Sequence, residues 1–71
     1  MDNVTRDEAE FMYYKSGTAG SFYTSLVDCF FKADGGNQLR LLIAFPELEP
    51  VSRYATEPGY WNDLQERWKK G

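Results

Sequence analysis

The sequence contains no histidine and a single cysteine, Cys29. Histidine is the usual general base near neutral pH and the commonest metal ligand, so its absence removes the most familiar routes to catalysis. One cysteine cannot close an intramolecular disulfide, and such usage fits a reducing compartment. A zinc site takes about four nitrogen or sulfur ligands, and this chain offers one thiol. Long apolar runs are missing too. The longest unbroken one, Leu41 to Phe45, falls far short of the ~20 residues of a membrane-spanning helix. The N-terminus is acidic and has no apolar leader core, so the expected location is the cytoplasm.

Positive charge is scarce. Eight Lys and Arg face eleven Asp and Glu, for a net charge of −3. That balance opposes phosphate-backbone binding, whose affinity comes mainly from Lys and Arg. It favours solubility or a basic partner. Asp2, Asp7, Glu8 and Glu10 surround only Arg6 in the first ten residues, whereas Arg67, Lys69 and Lys70 tip the C-terminus the other way. The carboxylate clusters Asp7-Glu8-x-Glu10 and Glu47-x-Glu49 read as helix-start charge and a solvated face. No acidic calcium loop surrounds either. Neither a metal nor a cofactor is expected.

Aromatic rings, by contrast, are abundant: five Phe, five Tyr and two Trp in 71 residues. A chain of this length is one domain. It buries only about 60% of the surface its unfolded form exposes. Net stability is then on the order of 4–10 kcal/mol.

Local signals divide the chain into short helices. Thr5-Arg6-Asp7-Glu8 is a capping box, in which the Thr5 hydroxyl and the Glu8 carboxylate each satisfy the other's backbone N–H. Val4 and Ala9 occupy hydrophobic-staple positions. This first helix should run to about Ser16 and stop at Gly17. Ala9, Met12 and Tyr13 share a face, while Phe11 and Tyr14 point elsewhere. After a hinge at Gly17–Gly20, Ser21 is the expected cap of a second helix. Phe22, Leu26, Cys29, Phe30 and Ala33 then occupy one arc, widened by Tyr23 and Val27. Cys29 on that stripe reads as a buried structural thiol. Phe31 lies at the stripe's edge, and Gly35 is the expected closing residue.

Asn37 is the expected cap of a third helix, Gln38 to about Phe45. Leu39, Leu41, Ile43 and Phe45 also alternate like a strand, but no other segment offers a strand to pair with. Pro46 ends this helix. Pro50 suits the first turn of a fourth, which runs to about Ala55. Glu57-Pro58-Gly59 breaks the chain again. In the last helix Tyr60, Trp61, Leu64 and Trp68 share a face, and the final lysines complement the helix dipole. The expected fold is all-α, a single bundle of four or five short helices over residues 1–71. Phe22, Leu26, Phe30, Leu42, Leu64 and Trp68 are its expected core.

Two nucleic-acid motifs are weak. Gly17-Thr18-Ala19-Gly20 has the form of the GxxG loop of KH domains, but those folds need a sheet. The second and third helices have the order of a helix-turn-helix, yet Gln38 to Ala44 is mostly apolar, with Arg40 its one base, where a recognition helix exposes polar side chains.

The pattern Gly20-Ser21-Phe22-Tyr23-Thr24-x-Leu26, then Ala33-Asp34-x-x-Asn37, Phe45-Pro46-Glu47 and Gly59-Tyr60-Trp61, resembles short bacterial and mobile-element proteins of no assigned activity. It covers about residues 20 to 65. The resemblance implies a small cytoplasmic bacterial protein and transfers no site residues.

The expected function is therefore non-enzymatic: a small protein–protein interaction or adaptor protein of phage or mobile-element type, with a protein partner or a second copy as occupant. Tyr and Trp are frequent interface anchors. Phe31, Tyr60 and Trp61 are the candidate interaction surface, as rings left over once the core is filled. The alternative is a small nucleic-acid-binding regulator using Arg40, Arg67, Lys69 and Lys70.

Overall fold

A computed structural model describes residues 3–70, and helix caps set its element boundaries. The order is α1 (Arg6–Lys15), α2 (Ser21–Lys32), α3 (Gly35–Ala44), a 3-10 turn (Pro46–Leu48), α4 (Glu49–Thr56) and α5 (Tyr60–Lys70). No strand occurs among the described residues. The protein is a small all-α bundle in which α1 packs on α4, α2 on α3, and α4 on α5. Among the described residues, no helix is long and apolar enough to cross a membrane.

The capping box is formed. Thr5 N–H donates to Glu8 Oε1 at 3.0 Å, and Glu8 N–H donates to Thr5 Oγ1 at 3.1 Å. At the other end of α1, Gly17 has φ +80°, a left-handed conformation that glycine adopts without steric cost. Its N–H donates to the Tyr14 carbonyl at 3.1 Å, and Thr18 N–H to the Tyr13 carbonyl at 2.9 Å.

Two caps differ from the sequence expectation. Ser21 is the first residue of α2, and Gly20, which has no side chain to offer, stands at its N-cap. The cap of α3 is Asp34, whose Oδ1 accepts from Asn37 N–H at 2.9 Å. Gly35 and Gly36 therefore lie in the first turn of α3 and do not close α2. Asp34 and Asn37 have N-cap-to-N3 spacing, and Asp is among the strongest caps. Gln38 Nε2 then donates to the Phe30 carbonyl at 3.0 Å, tying α3 to the end of α2.

Leu39 to Ala44 is helical, and the strand-like alternation is not realised. Pro46 starts the 3-10 turn and Pro50 lies in the first turn of α4, where a missing N–H breaks no helical hydrogen bond. Gly59, at φ +87°, turns the chain into α5.

The core is Phe11, Tyr23, Leu26, Val27, Phe30, Leu48, Val51, Tyr60 and Leu64. Leu26, Phe30 and Leu64 were expected there; three others were not placed as anticipated. Phe22 is 66% exposed. Leu42 is only partly buried, and Trp68 is half-buried with its ring edge-on to Tyr13 at 5.7 Å. Cys29 is exposed. The cause is a rotation of α2. Tyr23, Leu26, Val27 and Phe30 form one helical stripe, Phe22, Leu26, Cys29 and Ala33 another, and Leu26 belongs to both. Leu48 and Val51, both fully buried, pack in the same core as the first stripe. α1 is turned likewise. Phe11 is fully buried while Tyr13 is 43% exposed, because Phe11 meets Tyr54 of α4 edge-on at 5.2 Å.

Candidate functional site

Among the described residues, one ionised side chain, Glu8, lies inside the bundle. The capping box draws Glu8 back over the start of α1, and α5 brings Tyr60 and Arg67 to it. Glu8 Oε2 accepts from Tyr60 O–H at 2.7 Å and from Arg67 Nη2 at 2.8 Å. Oε1 accepts from Arg67 Nη1 at 2.7 Å as well as from Thr5 N–H. Arg67 also donates to Asp63 Oδ2 at 2.9 Å and to the Asn3 carbonyl at 3.1 Å. The Arg67 hydrogen bonds hold the Glu8 carboxyl down at about 2, against the opposing effect of burial. Burial and the bond to Glu8 push the Tyr60 phenol up. A carboxylate with both oxygens doubly occupied and so low a pKa is a poor proton acceptor. It acts as a clamp between α1 and α5. The sequence showed Glu8 as a cap and as charge on a solvated face, whereas it is buried; its partners lie more than fifty residues away.

The three candidate surface rings are not equivalent. Tyr60 is 4% exposed and bonded to Glu8, and the Arg53 guanidinium lies 4.3 Å from its ring centre. It belongs to the core. Phe31 is 42% exposed and packs edge-on to Tyr54 at 6.2 Å. Trp61 is half-buried and packs edge-on to Tyr54 at 5.5 Å and to Phe11 at 5.8 Å. Phe31 and Trp61 are thus joined through Tyr54, a ring the sequence had not singled out. Lys15 Nζ lies 4.9 Å from the Tyr54 ring centre and 5.2 Å from that of Trp61. Tyr14 extends this surface on the α1 side. Its hydroxyl donates to Asp28 Oδ1 at 2.6 Å, which pushes the phenol up to about 12.

Among the described residues, the exposed large aliphatic side chains, Leu39 and Ile43, are both on α3. No residue of α3 is buried. Leu39 is 59% exposed and Ile43 72%. At one helical turn apart they share a face, with Leu42 half-buried beside them. A shallow groove of about 160 Å³ runs along this side, lined by Leu39, Leu42, Phe30 and Ser52 among others. In the sequence, Leu39 and Ile43 stand out only within the strand-like alternation of a mostly apolar segment.

The basic residues are scattered. Arg67 is committed to Glu8 and Asp63, and Lys69 Nζ lies 3.7 Å from Glu66. Arg40 lines a separate groove between α2 and α3 with Cys29 and Lys32. No group of His, Cys, Asp and Glu among the described residues is arranged to hold a metal ion.

Comparison of the chain with protein-family models, with curated protein sequences and with solved structures gives no match.

Proposed function

We propose that the protein is a non-enzymatic protein–protein interaction module and that its contact surface is the outer face of α3. One observation carries this reading: α3 buries no residue yet leaves Leu39 and Ile43 largely in solvent. Covering a Leu or Ile side chain is worth about 1.5–3 kcal/mol. An apolar pair one turn apart is the pattern by which a helix docks in a groove or against another helix. Phe31 and Trp61, linked through Tyr54, form a second and more polar patch around Lys15 and Tyr54. A cytoplasmic setting and a bacterial or mobile-element origin belong to the same proposal, resting on the cysteine usage and the sequence pattern.

The test replaces Ile43 with a photo-reactive phenylalanine and irradiates cells making the full chain. The expected result is one discrete cross-linked species, identified by mass spectrometry, that disappears when Leu39→Ser is added. A second copy gives a doubled mass and another protein gives a different one. Absence of any discrete adduct, with the variant folded, overturns the proposal.

A further inference from the structure

Where α2 begins, the surface opens into a cleft of about 610 Å³ between α1 and the 3-10 turn. Its acidic lining comes from Asp7 and Glu10 of α1 and Glu47 of the turn, and Arg6, Phe22 and Tyr23 also line it. All three carboxylates are half-buried. None forms an ion pair with another described residue. Like charges gathered on a partly desolvated surface repel, and no ion pair in the described fold neutralises them. Arg6 and the N-terminus of α2, which carries about half a positive charge, leave the cleft net negative.

Tyr23 adds an independent observation. It is 8% exposed, and its hydroxyl oxygen is buried without any hydrogen-bond partner. A buried hydroxyl left unpaired costs free energy, so such groups are nearly always satisfied. Its phenol is pushed up first by burial, then by the charges of Glu10, Asp7 and Glu47. Tyr23 itself lines the cleft with the same three carboxylates, and its unpaired oxygen keeps acceptor lone pairs.

The missing component is cationic and rich in donors. It is larger than a bare metal ion, since these side chains do not converge on a metal-binding arrangement. An ammonium group brings three N–H donors. Phe22, 66% exposed, also lines the cleft, and aromatic rings attract cations. We infer that this cleft binds a primary ammonium group, held by Asp7, Glu10 and Glu47, with the Tyr23 hydroxyl oxygen as a further acceptor reached directly or through one water. The source is either a free amine or the side chain of a lysine on a partner. The site lies at the start of α2 and is independent of the α3 face.

The test is a ¹⁵N NMR titration of the full chain at low ionic strength with propylammonium chloride. Tetramethylammonium chloride, which carries the charge but no N–H donor, is the control. Shifts should centre on residues 6–10, 20–23 and 47 and be distinctly weaker with the control. Tyr23→Phe, Glu10→Gln and Glu47→Gln should each weaken binding by about threefold or more, the loss typical of one hydrogen bond or charge contact. Arg6→Ala should strengthen it, and Leu39→Ser should leave it unchanged. Tyr23→Phe should not lower the melting temperature, because the hydroxyl it removes has no internal partner. N-acetyl-lysine methylamide separates the sources. Binding several-fold tighter than propylammonium assigns a lysine side chain, and equal or weaker binding a free amine. Three results overturn the inference: no localised shift, an equal response to tetramethylammonium, or unchanged affinity in Tyr23→Phe.

Discussion

Replacing Glu8 with Gln keeps the shape of the side chain and removes its charge. The Arg67 hydrogen bonds hold the Glu8 carboxyl at about 2, against an ordinary 4.5. At ~1.4 kcal/mol per pH unit, that difference amounts to about 3 kcal/mol of stability near neutral pH. The Glu8 side chain is only 5% exposed but that of Arg67 is 30% exposed, so solvent screening takes part of this figure. Set against a total on the order of 4–10 kcal/mol, it is a large share. Because the folded-state value lies below the unfolded one, the contribution is complete above pH 4.5 and is lost as pH falls from 4.5 toward 2. About 2 kcal/mol of it is gone by pH 3. Urea unfolding followed by tryptophan fluorescence, at pH 7 and at pH 3, measures both effects. Glu8→Gln should be less stable by about 2–3 kcal/mol at pH 7, and its stability should change much less between the two pH values. If the variant shows the same pH dependence as the parent, the clamp does not contribute as described.

Further outcomes follow from the packing and the caps. Phe11→Ala, at a fully buried ring, should cost about 3–5 kcal/mol; Phe22→Ala, at an exposed one, should cost under about 1 kcal/mol. Thermal melts of the two variants check the rotation of α2 and α1. Asp34→Ala removes the side-chain cap of α3 and should cost about 1 kcal/mol, whereas Asn37→Ala should cost less. At alkaline pH the order is reversed from Glu8. Tyr14 is pushed up to about 12, and Tyr60 is also raised. Their contribution is complete below the ordinary phenol value of 10.0 and declines as pH rises above it. Urea midpoints between pH 9 and pH 11.5 should therefore fall, and more weakly in Tyr14→Phe.

Helix order was legible because its signals are local. Thr5 and Glu8, Pro46, Pro50, and Glu57 to Gly59 mark boundaries through backbone chemistry that acts within a few residues. Facing was not legible, because it depends on which elements meet. Phe22 and Tyr23 are adjacent aromatic residues on a helix whose apolar arc accommodates either. Elements distant in sequence decide it: Tyr23 turns inward to share the core with Leu48 and Val51 and packs edge-on to Tyr14 at 6.4 Å. The same holds for Phe11, whose place in the core is set by Tyr54 and Trp61 from distant segments. Tyr60 looked like a surplus ring because its partner Glu8 lies 52 residues earlier. Leu39 and Ile43 were visible as apolar spacing, yet periodicity cannot say whether a neighbouring element covers them. In this fold none of the described elements does.

The contact role of α3 is tested most directly by measuring stability and association together in the double variant Leu39→Ser, Ile43→Ser. If these side chains serve a partner, the unfolding free energy should stay within about 1 kcal/mol of the parent. The discrete cross-link formed from a neighbouring α3 position, such as Arg40, should at the same time be lost. A fall of more than about 2 kcal/mol, the cost of losing real burial, together with an unchanged cross-link, would mean that the face belongs to the fold itself and would contradict the account.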